Sequence, residues 1–348
     1  MKERITWIDL AKGLLIILMV LGHVANFSKR AGVDDTFLLF WWKLAWWYVP
    51  FYMQTFFVLS GFTSNFDKDG KSFFKSMCRS LAVPFFVFAL IQQVICMAIL
   101  DYDLLITVGG GKFDFLTESF WFLPALIIAK TIYYVLNKYI RNFYVLGCLL
   151  VLIMIFGFFI TLSYSDYEMP GHYMNYFHYR NGLCMAIFIW IGVGLKRIKK
   201  DVAQKFLIVS SGLYLVSMML VKVMKHFDVD TLLIEPVGYS HWVEISSAIQ
   251  IVPYMFYASL GSFTLILFSQ LLQQNKILEY IGRNSIIIYL IHFVVMVIIV
   301  KVLSNFILPS TNLLGYLFFL IVGCSTMILS SLVVEMVNTR HLKWMVGK

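Results

Sequence analysis

The sequence predicts an all-α integral membrane protein, a bundle of about ten transmembrane helices with both ends in the cytoplasm. Three observations carry this. Hydrophobic residues make up 60% of the 348 residues and charged ones 14%, with a mean hydropathy of +0.81. A soluble domain averages about 45–50% apolar and about 25% charged, so a water-soluble fold could not cover itself with polar surface. The apolar residues run on over helix length instead of alternating as in a membrane β-barrel. The charges between the runs alternate in sign along the chain. Intrinsic disorder is excluded by the apolar content. A disulfide-stapled fold is excluded by the five scattered cysteines, Cys78, Cys96, Cys148, Cys184 and Cys324.

About 20 apolar residues cross a bilayer, and the segments follow in order. Ile5–Val24 begins after Lys2 and Arg4 and leads to Asp34 and Asp35. Val49–Phe66 is short and ends before Lys68, Lys71, Lys75 and Arg79. Leu81–Leu100 leads to Asp101, Asp103, Asp114 and Glu118, and Ser119–Leu136 to Lys138 and Arg141. Phe143–Leu162 leads to Asp166 and Glu168. Gly182–Leu195, the other short segment, leads to Lys196, Arg197, Lys199, Lys200 and Lys205. Phe206–Met224 precedes Asp228, Asp230, Glu235 and Glu244, and Ile249–Leu272 precedes Lys276 and Arg283. Ser285–Leu303 and Leu313–Val337 complete the set, before Arg340, Lys343 and Lys348. Basic loops stay inside, so the net charge of +9 sets membrane orientation and does not point to nucleic acid. Asp9 and Lys12 within the first segment argue for a retained helix, not a cleaved signal. The whole chain, 1–348, reads as one membrane domain with no appended soluble domain.

Ionisable groups in a membrane helix are costly and are candidates for function. The first segment holds Asp9, Lys12 and His23. Lys12 and His23 are eleven residues apart, so they share a face about 16 Å apart along the axis. Asp9 and Lys12 can pair at that spacing. The opposing reading is a self-neutralised pair with His23 at the interface.

The run Arg4-Ile-Thr-Trp7-Ile-Asp9-Leu-Ala-Lys12-Gly13, continuing to Val20-Leu-Gly22-His23, resembles the opening of the acyltransferase 3 family of membrane O-acyltransferases, and looks most like its fucose 4-O-acetylase-like branch. The family signature is a basic residue, ten others, then histidine. Three further blocks resemble the family in order: Phe56-Phe57-Val-Leu-Ser60-Gly61-Phe62, Trp121-Phe122-Leu123, and Gly282-Arg283-Asn284-Ser285 with Tyr289-Leu-Ile-His292. The resemblance implies transfer of an acyl group, usually acetyl, from cytoplasmic acetyl-CoA or another acyl-CoA to a hydroxyl of a cell-surface polysaccharide or lipid-linked glycan precursor. It implies a bacterial inner-membrane enzyme with no tightly bound cofactor. It makes His23 the essential residue and Lys12 functionally important.

The chemistry of the residues is compatible. A histidine titrating near neutrality can take the hydroxyl proton or hold the acyl group. Lys12 is too far along a straight helix to stabilise the oxyanion beside His23, so it is expected to position the donor or hold Asp9. Ser285, Tyr289 and His292 share one helix face, as a wall of the site or as interhelical hydrogen bonds. Ser60 beside Gly61 reads as close packing, or as part of a substrate channel. Trp121 is a candidate for stacking on a sugar. Glu118 is either an acceptor-binding carboxylate or a helix cap. Arg180 reads first as an interfacial loop charge and second as a substrate-binding cation. Trp41, Trp42, Trp46, Trp47 and Tyr48 read first as an aromatic belt and second as a glycan groove.

Lys75, Arg79, Lys138, Arg141, Arg197 and Lys200 are candidates for the phosphates of CoA, although the positive-inside rule alone accounts for them. His172, His178 and His241 fall in outer loops and His226 and His341 at helix ends, and no metal site is expected. The expected partners are acyl-CoA, the glycan acceptor and the bilayer, with homo-oligomerisation left open. Two other readings stay open: a transporter or flippase for a lipid-linked sugar or small anion, and a catalytically dead relative acting as a scaffold. A transporter would tend to show inverted repeats and broken helices, and none is evident.

Overall fold

The computed structural model describes residues 5–30, 41, 43–99, 120–165, 178–227, 250–272, 274–304, 306, 312–339 and 341–347. Among them all regular structure is helical. In chain order the helices are α1 (Thr6–Arg30), α2 (Tyr52–Thr63), α3 (Gly70–Met77), α4 (Val83–Ile99), α5 (Phe122–Tyr139), α6 (Phe143–Ser165), α7 (Tyr179–Arg197), α8 (Lys200–His226), α9 (Ile251–Leu271), α10 (Lys276–Arg283), α11 (Ser285–Ser304) and α12 (Asn312–Val337). A π-helical turn, Cys78–Ala82, joins α3 to α4. Pro84 accounts for it, because a proline has no N–H and its ring collides with the carbonyl four residues back, which widens the turn. Pro124 and Pro253 sit in the first turns of α5 and α9, where no backbone partner is lost.

Each of the ten predicted segments contains a helix. Seven stretches are long and apolar enough to cross a membrane: Thr6–Ser28, Gly70–Ile95, Phe143–Ile160, Lys200–His226, Ile251–Leu271, Ser285–Leu303 and Leu314–Val337. The chain is therefore a multi-pass membrane protein. Helices α2, α5 and α7 fall outside the seven, and they pack on one another. A helix wrapped by protein need not be apolar all round. Gln54, Thr55, Arg180 and Asn181 are accordingly buried within this group.

The chain divides into two units, Met1–Trp46 with Ser76–Phe120 and Gln274–Lys348, and Trp47–Lys75 with Trp121–Gln273. In the second unit α7 packs against α2, α5 and α6, and α9 against α2 and α8. A Cβ on Gly61 would fall on the carbonyl oxygen of Ile189, and one on Gly192 on that of Val58. The two backbones thus touch, which bears out the small-residue packing expected beside Ser60. Thr55 Oγ1 donates to Ser262 Oγ at 2.9 Å and Gln54 Nε2 to Tyr254 Oη at 3.2 Å, linking α2 to α9. Trp190 stacks on Phe143 and donates to its carbonyl at 2.9 Å. Large apolar side chains such as Leu152, Phe156, Val209 and Val216 remain exposed on α6 and α8, as suits contact with lipid.

In the first unit α1 packs against α10, α11 and α12, and α11 also against α12 and α4. Sequence pattern places residues 276–283 in a loop, whereas they form α10. Asn275 caps it by accepting from the amides of Ile277 and Leu278, and Glu279 pairs with Arg283 one turn later at 2.7 Å. Eight residues are too few for a hydropathy window to register.

Candidate active site

Helix α1 runs unbroken from Thr6 to Arg30, so Lys12 and His23 keep the helical spacing expected of them. Both are half-buried. Asp9 is buried at 5% exposure, and its Oδ2 lies 3.6 Å from Arg283 Nε. Arg283 also holds Glu279, so one guanidinium sits between two carboxylates at the end of α10. This arrangement depends on Gly282. A Cβ there would fall on the carbonyl oxygen of Asp9, and one on Gly13 would fall on that of Leu278. Asn284 continues the contact, donating to the Tyr280 carbonyl at 2.9 Å and accepting from Asn338 at 3.1 Å. Tyr280 donates to Glu335 at 2.6 Å. Burial first, and then the Glu335 carboxylate, push its phenol up to about 12.

Toward the other end of α1, His23 meets α11. The rings of His23 and His292 are 5.2 Å apart, and Phe293 meets His23 edge-on at 5.9 Å. His292 is buried at 2% exposure, with Tyr289 6.1 Å from it. Tyr289 in turn packs on Phe120 at 6.2 Å. Ser285 is also buried, one turn before Tyr289. The half-open imidazole of His23 is thus backed by a buried imidazole and framed by aromatic rings. Chemically, such a group can take a proton from a hydroxyl and return it.

The remaining candidates distribute as follows. Ser60, Trp121, Arg180, Lys75, Arg141 and Arg197 belong to the second unit, and Arg79 to the first. Ser60 and Trp121 are half-buried. Lys75, Arg79, Arg141 and Arg197 are exposed, as a phosphate-binding or positive-inside residue would be. The Arg197 guanidinium also lies 4.4 Å from the Phe143 ring. Glu118, Trp42, His172 and His241 lie outside the described residues.

Three first readings are corrected. Arg180 is not an interfacial loop charge: it lies in the first turn of α7 at 4% exposure, its Nε donating to Tyr179 Oη at 3.2 Å. His178, expected in a loop, precedes that helix in a left-handed conformation (φ 52°) and is equally buried. Trp41 and Tyr48 are interior residues, not belt residues, Trp41 packing on Phe319 at 5.3 Å.

Arg283, Glu279 and Phe293 were not among the sequence candidates. For the first two a signal exists, since a capping asparagine followed by a carboxylate and a guanidinium four residues apart marks a short amphipathic helix. For Phe293 there is none, because a phenylalanine in an apolar run carries no sign of its neighbours.

The acyltransferase domain family called acyltransferase 3 matches residues 5–335 of this chain. The chain belongs to the acyltransferase 3 family. It is accordingly a membrane acyltransferase by family. The match runs through α1, α10 and α11, the helices that hold Asp9, Lys12, His23, Arg283 and His292. No curated protein and no solved structure matches the chain.

Proposed function

We propose that this protein is an O-acyltransferase of the fucose 4-O-acetylase-like branch. It moves an acyl group, usually acetyl, from cytoplasmic acyl-CoA to a hydroxyl of a cell-surface polysaccharide or its lipid-linked precursor in a bacterial inner membrane. The observation that carries the reading is His23, a half-buried imidazole within a membrane-length helix, held against buried His292 on a chain of acyltransferase family membership.

In this mechanism His23 takes the proton of the acceptor hydroxyl as the oxygen attacks the thioester carbonyl. The C–O bond forms and the C–S bond breaks. The imidazolium then returns the proton to the departing thiolate, which leaves as free CoA thiol. Lys12 lies about 16 Å from His23 along the helix, out of reach of the oxyanion, and is assigned to hold the donor on the cytoplasmic side.

The test is acyl transfer in inverted membrane vesicles given labelled acetyl-CoA, with ion gradients collapsed by ionophores. Label entering the glycan or glycolipid fraction without a gradient supports the reading. Gradient-dependent movement of an unacylated sugar or anion, with the donor unconsumed, would replace it with a transporter.

A further inference from the structure

His292 stands behind His23 and has one hydrogen-bonding nitrogen to spare. Its Nδ1 lies 2.7 Å from the carbonyl oxygen of Tyr289 and 3.2 Å from that of Ile288. Carbonyl oxygens only accept, so the partners assign the proton to Nδ1. In the neutral ring Nε2 is then a bare lone pair, and it is buried without a hydrogen-bond partner among the described residues. A proton on Nε2 would instead leave a buried donor without an acceptor. The spare lone pair is an acceptor too deep to touch a substrate, in a ring 5.2 Å from the half-exposed His23 and tilted 42° to it. With His292 held by its two carbonyls, a turn of the His23 ring about its own side-chain bonds carries one of its nitrogens toward Nε2 of His292. Phe293 closes the side of the pair.

We propose that His292 is the positioning residue of His23: Nε2 of His292 accepts an N–H from the His23 ring and so fixes which His23 nitrogen faces the reacting hydroxyl. The inference rests on the reading of His23 as the proton acceptor in acyl transfer. The N–H that His23 donates to His292 stays on His23 throughout. The moving proton passes from the acceptor hydroxyl to the other nitrogen of His23 and on to the thiolate. His292 thus does with a neutral imidazole what a carboxylate does for the histidine of a serine hydrolase, holding the tautomer and supporting the imidazolium. The competing role is a helix clamp, in which only the Nδ1 bonds to the α11 carbonyls count.

Two substitutions separate these roles in the purified full-length protein. His292→Gln places an amide oxygen near the Nε2 position and removes the clamp. His292→Asn keeps an N–H near the Nδ1 position and removes the acceptor. The expected result is a fall in kcat of about 10²-fold for His292→Asn with KM for acyl-CoA unchanged, and a loss within about fivefold for His292→Gln. The reverse order, Asn tolerated and Gln not, makes the residue a clamp and overturns the proposal.

A second readout does not depend on turnover. In 15N-histidine spectra the His292 signal is expected to report Nδ1–H with Nε2 bare. The His23 N–H signal is expected to shift in His292→Asn and to stay in place in His292→Gln. A protonated Nε2, or a His23 signal blind to both substitutions, overturns the proposal even if acyl transfer is robust. If the expected spectra are found but acetyl-CoA is not consumed, the histidine pairing holds and it is the proposed reaction that fails.

Discussion

Gly282→Ala adds a single methyl group where α10 crosses α1. The atoms it would meet are the carbonyl oxygen, carbonyl carbon and Cα of Asp9, all backbone, so no rotamer change relieves the collision and the helices must part. Overpacking of this kind costs roughly 1–3 kcal/mol. Parting also draws Arg283 from Asp9, now 3.6 Å away, with side-chain exposures of 47% and 7%. A half-exposed ion pair contributes about 0–1 kcal/mol. The expected destabilisation is therefore about 1–4 kcal/mol, seen as a drop of several degrees in the unfolding temperature of the detergent-solubilised protein. Gly212→Ala is the control. Nothing lies within 4 Å of its added Cβ, so it brings only the helix-propensity gain of up to ~1 kcal/mol. The same chemical change should thus have opposite signs at the two positions. A Gly282→Ala protein that melts with or above wild type would refute backbone contact between α1 and α10 at Asp9.

Thr55→Val removes the hydroxyl that joins α2 to α9 through Ser262, and should lower stability by about 1 kcal/mol in denaturant titration. Tyr280→Phe loses the bond to Glu335. The phenol's ordinary value is 10.0 and its folded value about 12. The neutral donor's contribution is therefore whole below pH 10 and lost as pH rises through about 12. The melting difference between wild type and Tyr280→Phe should be constant from about pH 6 to 9. A difference that changes across that range contradicts the assignment. Asp69 caps α3 by accepting from the Ser72 amide at 3.0 Å, and that bond holds its carboxyl below the usual range. Its contribution is present above the unfolded carboxyl value and lost as pH falls through the folded one. Asp69→Ala should thus reduce hydrogen-exchange protection at Ser72 to Lys75 at neutral pH and make no difference in strong acid.

The helices were legible because each apolar run had to satisfy its own backbone, whatever surrounded it. The face shared by Lys12 and His23 was legible for the same reason: it depends on one unbroken helix. The partners of that face were not. Arg283 is near Asp9, and His292 near His23, only because α10 and α11 return to α1, and nothing local in the chain encodes that return. Arg180 and Trp41 were misplaced because charge and aromaticity favour an interface in general, and only packing shows that these two are inside.

The measurement that bears most directly on the central claim is acyl transfer from labelled acetyl-CoA by wild type, His23→Ala and Lys12→Ala, each purified and matched for folded protein. Loss of a positioned base costs about 10²–10⁴-fold. His23→Ala should fall by that factor while its unfolding temperature stays near wild type, and Lys12→Ala should mainly raise KM for the donor. Transfer undiminished in a folded His23→Ala protein would contradict the account and move the chemistry away from α1.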